Sequence, residues 1–502
     1  MPLLNSVLDQ FGKKYGSSPA VRNFPVNPPL LEQVTGDSRE VVPGSVFCCV
    51  RGEKRDGLDF AAAAVEKGAC AILTDREIPF PVPQLLTTDV RRDMGRLASI
   101  VYGYPSSSMK MFAVTGTNGK STTTWMIRHI LQSLGIRTGL FGTIVYNDGA
   151  VEKDAGRTTP ESYEIQRSLA SMVKNGCGAC VMEASSHGLS LGRLEGCSFD
   201  GAVFTNLSEE HLDYHKTLDE YFQAKSRLFS QYMKDGWHGA SNMDDLHGRM
   251  LLSAFPGKLI PFGLGENSAE GVRGSILSAT PSGNEFSVRL SGRQKDLKVF
   301  LPLPGRFNVY NALGSIAILQ PFVENPERTA AALRTMPQVP GRLERYYLSS
   351  GVCVIIDFAH TPAALGNVLS ELRNMCAGRL FAVFGHGGER FQPNRHSLGM
   401  TAARLCDRII VTMDNPRSED PGDIADQICE GIRSSEREPE TEIILDRKAA
   451  IRRALDEARA GDVVAVTGKG PEKYLIIGNQ TIPYSDRETV LDWVQERGLT
   501  WE

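Results

Sequence analysis

Residues 114–124, Val-Thr-Gly-Thr-Asn-Gly-Lys-Ser-Thr-Thr-Thr, follow the apolar run Met111 to Val114 and precede a stretch with helical spacing. The chain is committed here to a strand, a tight glycine loop and a helix N-terminus. Such a loop turns backbone N–H groups inward and sets the positive end of a helix dipole beneath a phosphate. Gly116 and Gly119 allow close backbone approach, Lys120 supplies a point charge, and the Ser121 hydroxyl suits Mg²⁺. Thr117, Asn118 and Thr122 complete the loop and the first turn. Val114 stands where the full P-loop pattern has its first glycine. A glycine-containing turn between strand and helix is therefore the plainer alternative to a nucleotide cradle. The motif predicts nucleotide binding and leaves the use of the nucleotide open.

The 502 residues are too many for one core and predict roughly three domains. Tyr104-Pro105-Ser106-Ser107-Ser108 reads as one linker and Pro337-Gln338-Val339-Pro340-Gly341 as another. The expected domains are 1–108, 109–338 and 339–502. In the middle one, Met126, Ile127, Ile130, Leu131 and Leu134 give a helix over 121–134, and Ile165, Leu169, Met172 and Val173 another over 162–174. Strands are expected near 179–182 and 202–204. Phe286, Val288 and Leu290 alternate with polar residues, as do Leu297, Val299 and Leu301, which predicts antiparallel strands appended to the main sheet. In the last domain, strands at 352–356, 380–384, 408–412 and 462–466 are interspersed with helices at 362–372, 397–405, 423–432 and 448–458. That order predicts an α/β protein ending in a doubly wound parallel sheet.

Net charge is −4, which gives no electrostatic case for nucleic acid or an anionic membrane. No apolar run reaches the length of a membrane span, and Met1-Pro2-Leu3-Leu4-Asn5 lacks a signal-peptide core, so the expected location is cytoplasmic. The ten cysteines are scattered. Cys177-Gly-Ala-Cys180 runs into an apolar strand without a second pair and reads as structural.

Several polar residues fall at predicted strand ends, where doubly wound sheets hold ligands. Glu183 ends one strand and could hold Mg²⁺ or serve the following helix N-terminus. His211 follows another, in a polar cluster with Asp213 and His215, and reads as a ligand. Lys225 lies among apolar residues of an amphipathic helix and from pattern alone is a snorkelling lysine. Asp414-Asn415-Pro416-Arg417 predicts an exposed turn whose guanidinium could hold a carboxylate bidentately. Gly468-Lys469-Gly470-Pro471-Glu472 pairs a flexible backbone with a carboxylate. Together they suggest one group for an acid and one for an amine, as in an amino-acid zwitterion.

The ordered set of motifs resembles the Mur ligases of cell-wall synthesis, in particular their diamino-acid-adding branch. It comprises Asp37-Ser-Arg39 with Pro43-Gly44, Thr115–Ser121, Thr158-Thr-Pro160, Met182-Glu-Ala-Ser-Ser-His187, Phe204–Ser208 with His211–His215, and Tyr221–Lys225. Pro304–Asn308, Gly341–Glu344, Asp357–Pro362 and Asp414–Arg417 follow. The resemblance implies a substrate-binding N-terminal domain, a central ATP domain and a Rossmann-like C-terminal domain that takes the amino acid. It implies that Ser38 contacts uridine, and that Thr158, Thr159, Ser186 and Arg193 bind the muramoyl dipeptide. Asn308, Arg342, Asp357 and His360 would join Lys120 and the loop on ATP. Ser121, Glu183 and His211 would hold Mg²⁺, together with Lys225 as a carbamate formed with CO₂. Arg390, Asp414, Asn415, Pro416, Arg417, Gly468 and Glu472 would form the amino-acid site.

The implied reaction makes an acyl phosphate of a D-glutamyl carboxylate, which the amine of meso-diaminopimelate attacks. The implied state is a monomer. Pro471 stands where a histidine is common, and Phe391–His396 replaces a more basic stretch, so lysine or ornithine stays open as the amino acid. Folylpolyglutamate-type and D-Ala-D-Ala-adding ligases are rivals, opposed by the Asp-Asn-Pro-Arg form. A nucleotide-dependent switch is a further rival, and it leaves the strand-end residues of two domains without a role.

Overall fold

The computed structural model describes residues 1–52, 55–264 and 270–501, without the side chain of Asp213. Three main sheets follow one another along the chain. The first has Gln84–Leu86, Ala69–Thr74, Ser45–Cys48 and Gln33–Thr35 parallel, with Ala20–Arg22 antiparallel on one edge.

The central sheet has eleven strands. Its parallel heart runs Leu259–Gly263, Met233–Asn242, Phe199–Phe204, Lys110–Thr115, Ala179–Glu183 and Thr138–Phe141 in spatial order. Both faces are covered, so these strands read as continuous apolar runs such as Met111 to Val114. The expected appended strands are present: Val272–Thr280, Gly283–Leu290 and Leu297–Leu301 continue the sheet, the last two antiparallel. The short strands Val145–Asn147 and Glu152–Asp154 extend the other edge. Helix Lys120–Ser133 buries Met126, Ile127, Ile130 and Leu131 against one face, as its spacing predicted.

In the third sheet, Cys353–Asp357, Val463–Thr467, Leu380–Phe384, Arg408–Val411 and Glu440–Ile443 lie parallel in that order, with Glu344–Tyr347 antiparallel at the edge. The last long strand thus enters between the first two, so the loops after residues 357, 384, 411 and 467 meet at one end.

Between the first and central sheets, Pro105–Ser107 form a 3-10 turn in which Pro105 and Ser106 are buried. Two local expectations are corrected. The turn 414–417 is not exposed, because Asp414, Asn415 and Pro416 are buried under the hairpin Tyr474–Ile477 and Gln480–Pro483. Lys225 does not snorkel; it is 1% exposed and points into the sheet end. Cys177 and Cys180 are free and buried, as expected. No described helix is long and apolar enough to cross a membrane.

Candidate functional site

The glycine loop is held from above by the neighbouring strand end. Gly116 has φ +145°, and a Cβ there would stand 1.9 Å from Thr205 Oγ1, so only glycine fits. Gly119 has φ +87°, and a Cβ there would stand 2.4 Å from Asn311 Oδ1. Asn118 N–H donates to Asn206 Oδ1 at 2.9 Å, and the Thr117 hydroxyl meets Tyr221 OH at 3.4 Å. Val114 lies inside the strand, 0% exposed and paired with Glu183, so the loop begins two residues after the place of the missing glycine.

Two lysines converge on this loop. Lys120 Nζ donates to Gly116 O at 2.9 Å and Thr117 O at 2.7 Å, and Lys225 Nζ donates to Gly116 O at 2.8 Å. Burial pushes the Lys120 ammonium below its usual range, against the pull of Glu210 and Glu183. Burial, with the Lys120 charge beside it, pushes Lys225 well below its usual range.

Glu183, 1% exposed, accepts from Thr143 N at 2.8 Å and from Thr143 Oγ1 at 3.0 Å, and Thr143 Oγ1 meets Thr158 Oγ1 at 3.0 Å. His211 adopts φ +57° at the head of a short helix, Leu212–His215, with its ring 4.8 Å from that of His187. Burial lowers its pKa to about 4 despite Glu210 beside it, so the imidazole is neutral and keeps a lone pair at neutral pH. Ser121 Oγ, Glu183 and neutral His211 line one cleft with Lys225. Hydroxyl and carboxylate are the hard oxygen donors that suit Mg²⁺, and Lys225 fits beside it only once its positive charge is gone.

The C-terminal region reaches over this end of the central sheet. Arg342, on the turn after Gly341, donates to Ser121 Oγ at 3.0 Å and lies 4.6 Å above the Phe358 ring. Asp357 accepts from Leu343 N and Ala359 N, both at 2.7 Å, and burial raises its pKa. His360 Nε2 lies 3.7 Å from Glu210 Oε1. Asn308 Nδ2 donates to Pro304 O at 2.7 Å and Asn308 Oδ1 accepts from Asn311. These residues, with Thr117–Thr122, Thr158, Ser186 and Arg390, line a cavity of about 610 Å³.

Thr159 and Arg193 lie behind this cavity. Thr159 Oγ1 donates to Glu183 O at 2.9 Å, and Arg193 donates to Thr159 O at 3.2 Å while pairing with Glu161 at 3.0 Å. Ser38 lies in the N-terminal region, its carbonyl accepting from Lys67 Nζ at 3.0 Å, and does not line this cavity.

The proposed amino-acid residues form a second cluster at the carboxyl end of the C-terminal sheet. Asn415 Nδ2 donates to Glu472 Oε2 at 3.0 Å. Arg417 has φ +54° and donates to Gly388 O, and burial and Arg390 depress its pKa. Gly468 has φ +109° and abuts Asp414. Pro416 is buried in the turn.

Pattern reading missed several contributors. Thr143, Asn206, Glu210 and Asn311 support the first cluster, while Lys469 and the buried pair Arg447–Asp486 support the second. Asn206 and Lys469 lay inside stretches already singled out.

Comparison with known proteins matches this layout in order. Residues 31–98 match the Mur ligase family catalytic domain, 114–319 the Mur ligase middle domain, and 341–470 the Mur ligase glutamate ligase domain. A Geobacillus kaustophilus protein named UDP-N-acetylmuramoyl-L-alanyl-D-glutamate–2,6-diaminopimelate ligase is 40% identical over 467 residues, 92% of this chain and 94% of its own. A protein of the same name from Caldanaerobacter subterraneus is 38% identical over 471 residues, 93% and 95% of the two chains. A solved structure of such a ligase has a TM-score of 0.64 at 30% identity, covering 94% of this chain and 96% of that one. MurF from Acinetobacter baumannii, 17% identical, shares the fold with a TM-score of 0.69 over 99% of both chains. The glycine loop with its two lysines, and the C-terminal loops that close over it, are thus those of a known lineage, and this chain belongs to the Mur ligase family.

Proposed function

We propose that the protein is an ATP-dependent, ADP-forming amide ligase that joins meso-diaminopimelate to the D-glutamyl carboxylate of UDP-N-acetylmuramoyl-L-alanyl-D-glutamate. The convergence of Lys120, Glu183, Lys225 and Arg342 on one cavity supports this reading most directly. The names of the relatives support the choice of substrates. In this reading residues 1–108 hold the UDP end through Ser38, residues 109–338 hold ATP, and residues 339–502 hold the amino acid. The setting is the cytoplasm and the state a monomer.

A carboxylate is a poor acyl donor because oxide must leave. Transfer of the γ-phosphoryl from ATP gives an acyl phosphate and ADP, and attack by a neutral amine then expels phosphate and forms the amide. The loop N–H groups and Lys120 stabilise charge on the transferring phosphoryl, with Arg342, Asn308, Asp357 and His360 orienting the nucleotide. Ser121, Glu183, His211 and a carbamylated Lys225 would hold Mg²⁺, which would neutralise phosphate charge when bound. The carbamate forms when the neutral Lys225 amine adds to CO₂ with loss of one proton. Thr158, Thr159, Ser186 and Arg193 position the dipeptide. Arg417 and Arg390 take carboxylates, and Asp414, Asn415, Gly468 and Glu472 hold the distal amino-acid end. Lysine and ornithine lack the second carboxylate that a bidentate arginine serves.

The test is phosphate release by purified enzyme given ATP, the UDP-dipeptide and each diamino acid in turn. Release is expected only with all three substrates and fastest with meso-diaminopimelate. Faster turnover of lysine or ornithine overturns the amino-acid assignment, and release without the UDP-dipeptide overturns the ligase reading.

A further inference from the structure

Lys469 belongs to the second cluster yet has no part in the functional reading above. It follows the strand Val463–Thr467 and is 0% exposed. Its Nζ donates to Glu472 Oε2 at 2.8 Å and to Asn415 Oδ1 at 3.1 Å, and it lies 3.7 Å from Asp414 Oδ1. The flanking glycines, at φ +109° and +51°, turn the backbone so that this lysine enters the fold.

These contacts settle two properties of the neighbouring groups. Asn415 Oδ1 receives donors from both Lys469 and Ile476 N, which fixes the amide so that Nδ2 faces Glu472. Glu472 Oε2 is occupied by Lys469 and Asn415, which leaves Oε1 with Tyr474 OH at 3.4 Å. Two carboxylates around one ammonium also leave a single negative charge, which matches one ammonium group of a ligand.

We propose that Lys469 is a positioning residue for diamino-acid specificity, orienting Asn415 and Glu472 and balancing Asp414 against Glu472, so that the pocket accepts one ammonium at a defined place. The proposal rests on the ligase reading and on the amino-acid site at 414–417 and 468–472. A compact point donor suits the geometry, since one nitrogen sits among Glu472, Asn415 and Asp414, where an arginine would spread its donors over a plane.

Steady-state kinetics of the full-length enzyme test it. Lys469→Met is expected to raise the KM for meso-diaminopimelate about tenfold or more, with the KM values for ATP and UDP-dipeptide within about twofold of wild type. A lysine that only braced the fold would shift all three together. Lys469→Arg, which keeps the charge, supplies a second test if the methionine variant lacks a melting transition, and its diamino-acid KM is expected to rise severalfold. An unchanged diamino-acid KM in Lys469→Met, or a parallel rise in all three KM values, overturns the proposal. Wild-type enzyme that turns over no diamino acid overturns the ligase reading with it, so the two failures are told apart.

Discussion

Lys120 and Lys225, at the carboxyl end of the central sheet, donate to the main-chain carbonyls of Gly116 and Thr117. Lys469 and Arg447, at the corresponding end of the C-terminal sheet, donate to carboxylates. Both regions lie at the carboxyl ends of parallel strands, yet they treat charge in opposite ways. Lys120 is hydrogen-bonded to carbonyls and balanced only by the more distant pull of Glu210 and Glu183, an arrangement that costs stability. A cation enclosed by carboxylates is balanced in place, Arg447 by Asp486 and Lys469 by Asp414 and Glu472 together. The first arrangement suits a triphosphate and the second a zwitterion.

The largest test of that contrast is Lys120→Met. Loss of the cation facing the transferred phosphoryl is expected to lower kcat about 10³–10⁵-fold. The melting temperature should hold or rise, because a desolvated charge has been removed. Lys225→Ala should likewise abolish activity, with short carboxylates restoring part of it. An unfolded Lys120→Met protein would place that lysine with the structural cations instead.

Arg447 should behave in the reverse way. It is fully buried, pairs with both oxygens of Asp486 at 2.8 Å, and donates to Met413 O and Thr467 O beneath the amino-acid loops. Arg447→Met strands the Asp486 carboxylate and is expected to cost about 3–5 kcal/mol, read from denaturant midpoints. Nucleotide binding at the central loop should survive under native conditions. Loss of activity at full stability would break the comparison from the other side.

The smallest expected effect concerns His386, which is 5% exposed and accepts at Nδ1 from Arg395 at 3.5 Å. Burial and the Arg395 charge lower its pKa to about 4 from an ordinary 6.5. Between these values the unfolded chain binds the proton and the folded chain does not. Stability should therefore fall as pH drops from 6.5 towards 4, by up to about 3 kcal/mol from this group. Denaturant midpoints across that range should decline less steeply in His386→Asn. Identical slopes would remove His386 as a cause.

Much of the candidate site was legible because its marks are local. Val-Thr-Gly-Thr-Asn-Gly-Lys-Ser is a strand end, a loop and a helix start in consecutive residues, and Glu183 closes an apolar run. Lys225 misled because helical spacing among apolar neighbours reads the same for a snorkelling lysine as for one entering a sheet end. Asp414–Arg417 misled because turn-forming residues are usually exposed, and the hairpin that covers this turn lies far along the chain at Tyr474–Pro483. Asn311 carried no local mark, since its role is to face Gly119 from another helix.

By itself the sequence determined the alternation of strands and helices, the parallel class of the sheets and the glycine cradle, because each depends on periodicity and backbone freedom within a few residues. Only the tertiary structure decided which lysines face carbonyls and which face carboxylates. That follows from the order of strands within each sheet, which brings the loops after 115, 183 and 204, and those after 357, 384, 411 and 467, to common ends. The charge environment of a buried side chain belongs to such meetings of distant segments, and adjacent residues carry no record of it.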